Sequence, residues 1–205
     1  MIDWHRAEAL LNKLDRTVQP ARLLSITLPL AHWPDITLPA TGDESDWCYW
    51  QRPDRGLHLI GLGKAFATES SGAGRFAALH AAQRGLAEGW RHLTEADADA
   101  PVPLALTGFA FSPRDDEGNP LPNASLWVPE LLLRERHGKV WLTLSCAAAQ
   151  SAEASARWQA RWQAAHRASP AVPPAPTFSS AHARKPGPAP TMTTCSNPLA
   201  DHAFL

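Results

Sequence analysis

Gly61, Gly63 and Lys64, in the run GLGKA (61–65), come nearest to phosphate chemistry. A glycine-rich loop after a strand can aim backbone N–H groups at a phosphate, and a following lysine can neutralise it. The pattern is incomplete. A nucleoside-triphosphate loop needs glycine at 58 and a hydroxyl residue at 65, where the chain has His58 and Ala65. A dinucleotide turn needs glycine at 66, where the chain has Phe66. These glycines are therefore expected to serve a strand end or turn. Gly72 and Gly74, in ESSGAGRF, are expected to lead into a helix with Ser70 or Ser71 near its cap.

Other reactive types are present without the partners their chemistry needs. No GxSxG elbow marks a hydrolase serine. Cys48 and Cys146 lie in strand-like runs, where a buried, inert thiol is expected. No HxH or HExxH spacing joins the nine histidines. His58 in a strand and His80 on a helix are expected to be structural or solvent-facing. Asp115, Asp116 and Glu117 are consecutive and run into Gly-Asn-Pro, which suits a solvated loop tip better than carboxylates converging on a cleft. Trp127, Trp141, Trp158 and Trp162 could stack on a ligand, but core packing is the commoner use of such side chains. Types and spacing thus assign no catalytic, substrate-binding or metal-ligating residue.

The elements that must hold these residues are easier to read. Asp3 can cap a helix whose apolar face is Trp4, Ala7, Leu11 and Leu14, and Pro20 closes it. ARLLSITLPL (21–30) reads as a buried strand. DWCYWQR (46–52), the turn PDRG (53–56) and LHLIGLG (57–63) read as a hairpin. The segment 74–93 is the best helix, with Phe76, Leu79, Leu86, Trp90 and Leu93 as its stripe. A strand over 101–113, a turn-rich tip over 114–125 and two strands over 126–145 joined at His137-Gly138 follow. A last helix spans 151–168, with Trp158 and Trp162 one turn apart. Hairpins outnumber βα units, so the expected class is α+β, with a mostly antiparallel sheet and flanking helices.

Composition sets the outer limits. The chain has 205 residues, of which 44% are hydrophobic and 19% charged, enough to build a core without disulfides. A net charge of −1 argues against nucleic acid and against a polybasic membrane surface. No stretch of apolar residues is long enough to span a bilayer. Three well-separated cysteines and an N-terminus without an apolar signal core suggest reduced thiols and a cytoplasmic protein. From Ser169 to Leu205 the composition changes: eight of 37 residues are proline and Asp201 is the one acid. Residues 1–168 are thus expected to be the folded domain and 169–205 a Pro-rich disordered tail. An out-of-frame tail and a native linker are both open.

Four runs in order, DWCYWQRPDRGLHLIGLGKA, RFAAL, LALTGFAFSP and LWVPELLLRERHGKVWLTLS, resemble the N-terminal portion of isochorismate synthases, in the chorismate-utilising enzyme family. The resemblance covers about residues 22–145, with weaker support to 168. It implies an α/β sandwich of which this chain supplies the N-terminal half. It also implies an isomerase that turns chorismate into isochorismate for menaquinone or siderophore synthesis. Water adds at C2 and the C4 hydroxyl leaves, with a lysine base, a glutamate acid and Mg²⁺ on the substrate carboxylate. In that family those groups lie in the C-terminal half. Lys64, Lys139 and Lys185 lack the context of the catalytic lysine, so no catalytic, substrate-binding or metal residue is carried over. The expectation is a truncated chain, inactive alone, with no Mg²⁺ of its own. The alternative is a non-catalytic module docking onto a separate chorismate-binding chain.

Overall fold

The computed structural model describes residues 2–15, 21–36, 46–95, 100–111 and 122–167. The chain divides into Met1–Ala168 and Ser169–Leu205, and every described residue lies in the first unit. The tail, the acidic tip at Asp115, Asp116 and Glu117, and Lys185 lie outside the described residues.

Helix α1 (Trp4–Asp15) begins where Asp3 Oδ1 accepts the Arg6 N–H at 3.0 Å, as a cap should. Its three- and four-residue spacing buries Ala7, Leu11 and Leu14. Strands β1 (Leu23–Leu30), β2 (Trp47–Arg52) and β3 (Leu57–Leu62) follow. The PDRG turn joins the last two and closes with Gly56 at φ 52°, a left-handed conformation that glycine adopts without strain. Next come β4 (Phe66–Ser70), α2 (Arg75–Gly89), β5 (Trp90–Thr94), β6 (Leu106–Phe109) and β7 (Ala124–Val128). Strands β8 (Leu131–Arg136) and β9 (Lys139–Ala147) and helix α3 (Ser151–Arg167) complete the unit.

The strands form two sheets, ordered β2-β3-β8-β9-β1-β5 and β4-β7-β6. Every pairing is antiparallel except β1 with β5. The class is therefore α+β, as expected. Helices α1 and α3 cover one face of the larger sheet, where Trp158 is fully buried among Ile26, Leu142 and Leu144. Each such side chain gains about 1.5–3 kcal/mol over exposure. The Trp158 indole N–H also donates to the Ser145 carbonyl at 2.9 Å, which leaves no buried donor unmet there. Helix α2 lies on the smaller sheet, through Leu79 and Leu86 against Leu126 and Val128.

On the opposite face of the larger sheet, Leu23, Leu132 and Trp141 are buried beside a row of hydrogen-bonded polar side chains. Ser25 pairs with Ser145 at 2.8 Å and Thr27 with Thr143 at 2.9 Å. Thr27 also meets His92 Nε2 at 2.9 Å, and the Trp90 indole N–H donates to Ser25 at 2.8 Å. Burial holds the His92 pKa below its ordinary value. Below about pH 6.5 the unfolded chain therefore takes up this proton before the folded chain does, and stability falls as pH drops. Urea unfolding at several pH values should show a stability loss on acidification that is shallower in His92→Gln. Equal pH slopes for the two proteins would exclude His92 as the source.

Several sequence expectations are corrected. The helix predicted over 74–93 ends at Gly89, and Trp90 and Leu93 stand on β5. Non-local pairing decides this: Leu23 to Thr27 of β1 lie alongside Trp90 to Thr94. Phe76, placed on the buried stripe, is 49% exposed. The segment 126–145 holds three strands rather than two, because Pro129 and Glu130 break it and send β7 to the smaller sheet. Among the described residues of the strand predicted over 101–113, Leu106–Phe109 form the paired strand; Pro101 and Pro103, just upstream, have no N–H to give a ladder. Strand β4 was not expected at all.

Candidate functional site

The runs around GLGK and Trp-Val-Pro-Glu meet in space. At the end of β3, Gly63 reverses the chain with φ 67°. Its N–H donates to the Asp46 carbonyl at 2.7 Å and its carbonyl accepts the Glu130 N–H at 3.3 Å. The Ala65 N–H is taken by the Val128 carbonyl at 2.8 Å. These backbone groups are satisfied by the protein itself, so the turn is no phosphate cradle. Gly61 has a different reason to be glycine: a Cβ there would stand 2.9 Å from both Pro129 Cγ and Cys48 Sγ. Pro129 thus packs directly onto β3.

Glu130 is the buried acid of this region, its side chain 6% exposed. The Arg161 Nε–H donates to Oε2 at 2.7 Å. Arg157 Nε lies 2.7 Å from Oε1 but off line for a hydrogen bond, so that contact is Coulombic. Both arginines come from α3, four residues apart and hence on one face. A Cβ on Gly63 would meet Arg161 Cζ at 2.5 Å and Glu130 Oε2 at 2.8 Å. Glycine turn, buried acid and helix therefore form one lock between the β3 end, the β7–β8 junction and α3.

Beside the lock opens a cleft of about 310 Å³. Trp47 and Trp127 stand among its lining, with Asp46, Lys64, Glu69 and Ser125. Lys64 Nζ sits 2.7 Å from Asp46 Oδ1, so its charge is already compensated.

The remaining candidates are scattered. His58 stacks on Trp33 with ring centroids 4.2 Å apart, meets Tyr49 edge-on, and has Nδ1 3.6 Å from Glu135 Oε2. His80 is exposed on α2. Cys146 is fully buried, and burial raises the Cys48 thiol pKa, so neither is an activated nucleophile. Trp141 and Trp158 are core residues, and Trp162 packs edge-on against Trp4. Among the described residues no group of three or more His, Cys, Asp or Glu could hold a metal ion. Nor is any helix there long and apolar enough to cross a membrane. Sequence reasoning passed over the Glu130–Arg157–Arg161 cluster. Its one local signal is a glutamate inside an otherwise apolar run.

The family model for chorismate binding enzymes matches residues 8–192. No curated protein matches the chain. Among solved structures, the menaquinone-specific isochorismate synthase MenF from Escherichia coli is similar at 17% identity and a TM-score of 0.42. That alignment covers 78% of this chain and 34% of MenF, so the chain spans about a third of that protein's length.

Proposed function

Since this chain belongs to the chorismate binding enzyme family, we propose that it is the scaffold portion of an isochorismate synthase, cytoplasmic and inactive by itself. The observation that carries this is the use to which the motif residues are put. Gly63 and Glu130 are spent on the internal lock, and Lys64 is paired with Asp46. None of them is left to abstract or deliver a proton. Chorismate would then be isomerised only with a catalytic polypeptide, as the half of a longer chain or as a separate one. That polypeptide would supply the base for the incoming water and the acid for the departing hydroxyl.

The Mg²⁺ of this reading does not fit the described residues. Glu130 faces two guanidinium groups and Asp46 faces Lys64, and no three donors converge. No step through the metal is assigned to this chain. A non-catalytic docking module is the second reading, favoured by the exposed Tyr49 and Trp50 on β2 at the end of the larger sheet.

The test is a coupled assay for isochorismate from chorismate with Mg²⁺, using the purified chain. Turnover at background level is expected. Turnover above background that disappears in Lys64→Ala would overturn the reading. Co-purification with a chorismate-binding polypeptide, without covalent continuity, would favour the docking module.

A further inference from the structure

On the face of the larger sheet away from α1 and α3, register fixes two neighbouring rows of side chains. In one, Arg134 of β8 stands between Leu59 of β3 and Trp141 of β9. In the next, toward the hairpin tips, Arg52, Leu57, Arg136 and Lys139 follow one another across β2, β3, β8 and β9. This end of the face is therefore cationic, in a chain whose net charge is −1. The acids adjacent in sequence are engaged elsewhere. Asp54 accepts from Arg52 at 2.9 Å, and Glu135 alternates to the other face, where it lies against His58.

Arg134 stands apart from the other cations that the fold encloses. Its Nε is buried with no acceptor, and its guanidinium has neither an ion pair nor a hydrogen bond among the described residues. Leu59 and Trp141, on either side, have no side-chain acceptor to offer. Burial, together with the charge of Arg136, holds the Arg134 pKa below the ordinary arginine value. Arg157 and Arg161 share Glu130, and Arg75 donates to three backbone carbonyls. A guanidinium partly withdrawn from water beside a second cation is costly until an anion joins it.

We infer that Arg134 and Arg136 form a binding site for a small oxyanion, a carboxylate or a phosphate, with Lys139 at its margin. Arg134 is only partly buried, so the terminal nitrogens of its guanidinium reach the surface. They present a planar fork that matches two oxygens of such a group. The buried Leu59 and Trp141 wall this fork with apolar surface, and the lowered local dielectric strengthens the contact over one in open water. Arg136 and Lys139 are exposed in the next row and add attraction without the cost of burial. The inference does not depend on the chemistry proposed above.

Urea unfolding of the full chain at neutral pH tests it, with inorganic phosphate or acetate replacing chloride in steps at constant ionic strength. The folded-to-unfolded ratio should rise along a saturable curve, by about tenfold at ten times the dissociation constant. Arg134→Met keeps the apolar stem and removes the charge. It should abolish the rise and, in chloride, be no less stable than the wild type. Arg136→Gln should fold and shift the curve severalfold toward higher anion. Arg84→Gln, an equal change of charge at an exposed position of α2, should leave the curve unmoved. A curve for phosphate alone, or for acetate alone, supports the site and says which oxyanion it takes. An equal rise in wild type and Arg134→Met is the general action of salt on burial, and overturns the inference. So does the absence of a rise in the wild type. If Arg134→Met does not fold, identical curves for Arg136→Gln and Arg84→Gln overturn it in the same way.

Discussion

Glu130→Ala should lower the unfolding free energy by about 3 kcal/mol, because it leaves two guanidinium groups beside an empty, largely buried site. The carboxylate is the shared partner of Arg157 and Arg161, both at 2.7 Å. Their side chains are 29% and 34% exposed, so water offsets part of the lost pairing. That places the effect at the lower end of what breaking a buried pair costs. Replacing all three residues by leucine should recover most of the loss, since an apolar triad has no charge to strand. Urea unfolding of the single and triple variants separates this account from simple packing. A loss below about 0.5 kcal/mol for Glu130→Ala, typical of an ordinary surface site, would remove the lock from the argument.

Gly63→Ala should cost about 2–3 kcal/mol, from two sources that act together. The left-handed φ of 67° disfavours any residue with a Cβ, by about 1–2 kcal/mol. The new methyl would also stand 2.5 Å from Arg161 Cζ and must push the guanidinium off Glu130. The second source exists only while the ion pair does. In Glu130→Ala the arginine can move away, and Gly63→Ala should then cost about 1 kcal/mol less than in the wild type. A double-mutant cycle measures that coupling. Strict additivity would mean that the turn and the ion pair are independent.

These two substitutions matter for function through position. The lock holds Asp46 and Lys64 at the rim of the cleft and fixes the β7–β8 junction against the end of β3.

Much of the fold was legible along the chain. Asp3 and the spacing of Ala7, Leu11 and Leu14 determine α1, because a cap and a 3.6-residue period act locally. The PDRG turn and its flanking alternation determine the β2–β3 hairpin for the same reason. The α+β class followed from counting hairpins, and the order of four short runs pointed to the chorismate-utilising family that the family model matches. Tertiary structure decided the rest. Trp90 and Leu93 fit a helical stripe, yet they stand on β5, because β1 supplies a partner more than sixty residues away in sequence. Pro129 and Glu130 split one predicted strand between two sheets, because Gly61 leaves room for the proline and α3 supplies two cations for the acid. The residue types of GLGK would suit a phosphate loop as well as a turn. Only the partners of their backbone and side chains, Asp46 and Glu130 among them, distinguish the two, and those partners are brought there by packing. Periodicity and turn chemistry act over a few residues and can be read in order; pairing across sheets and burial of charge depend on what the whole chain brings together.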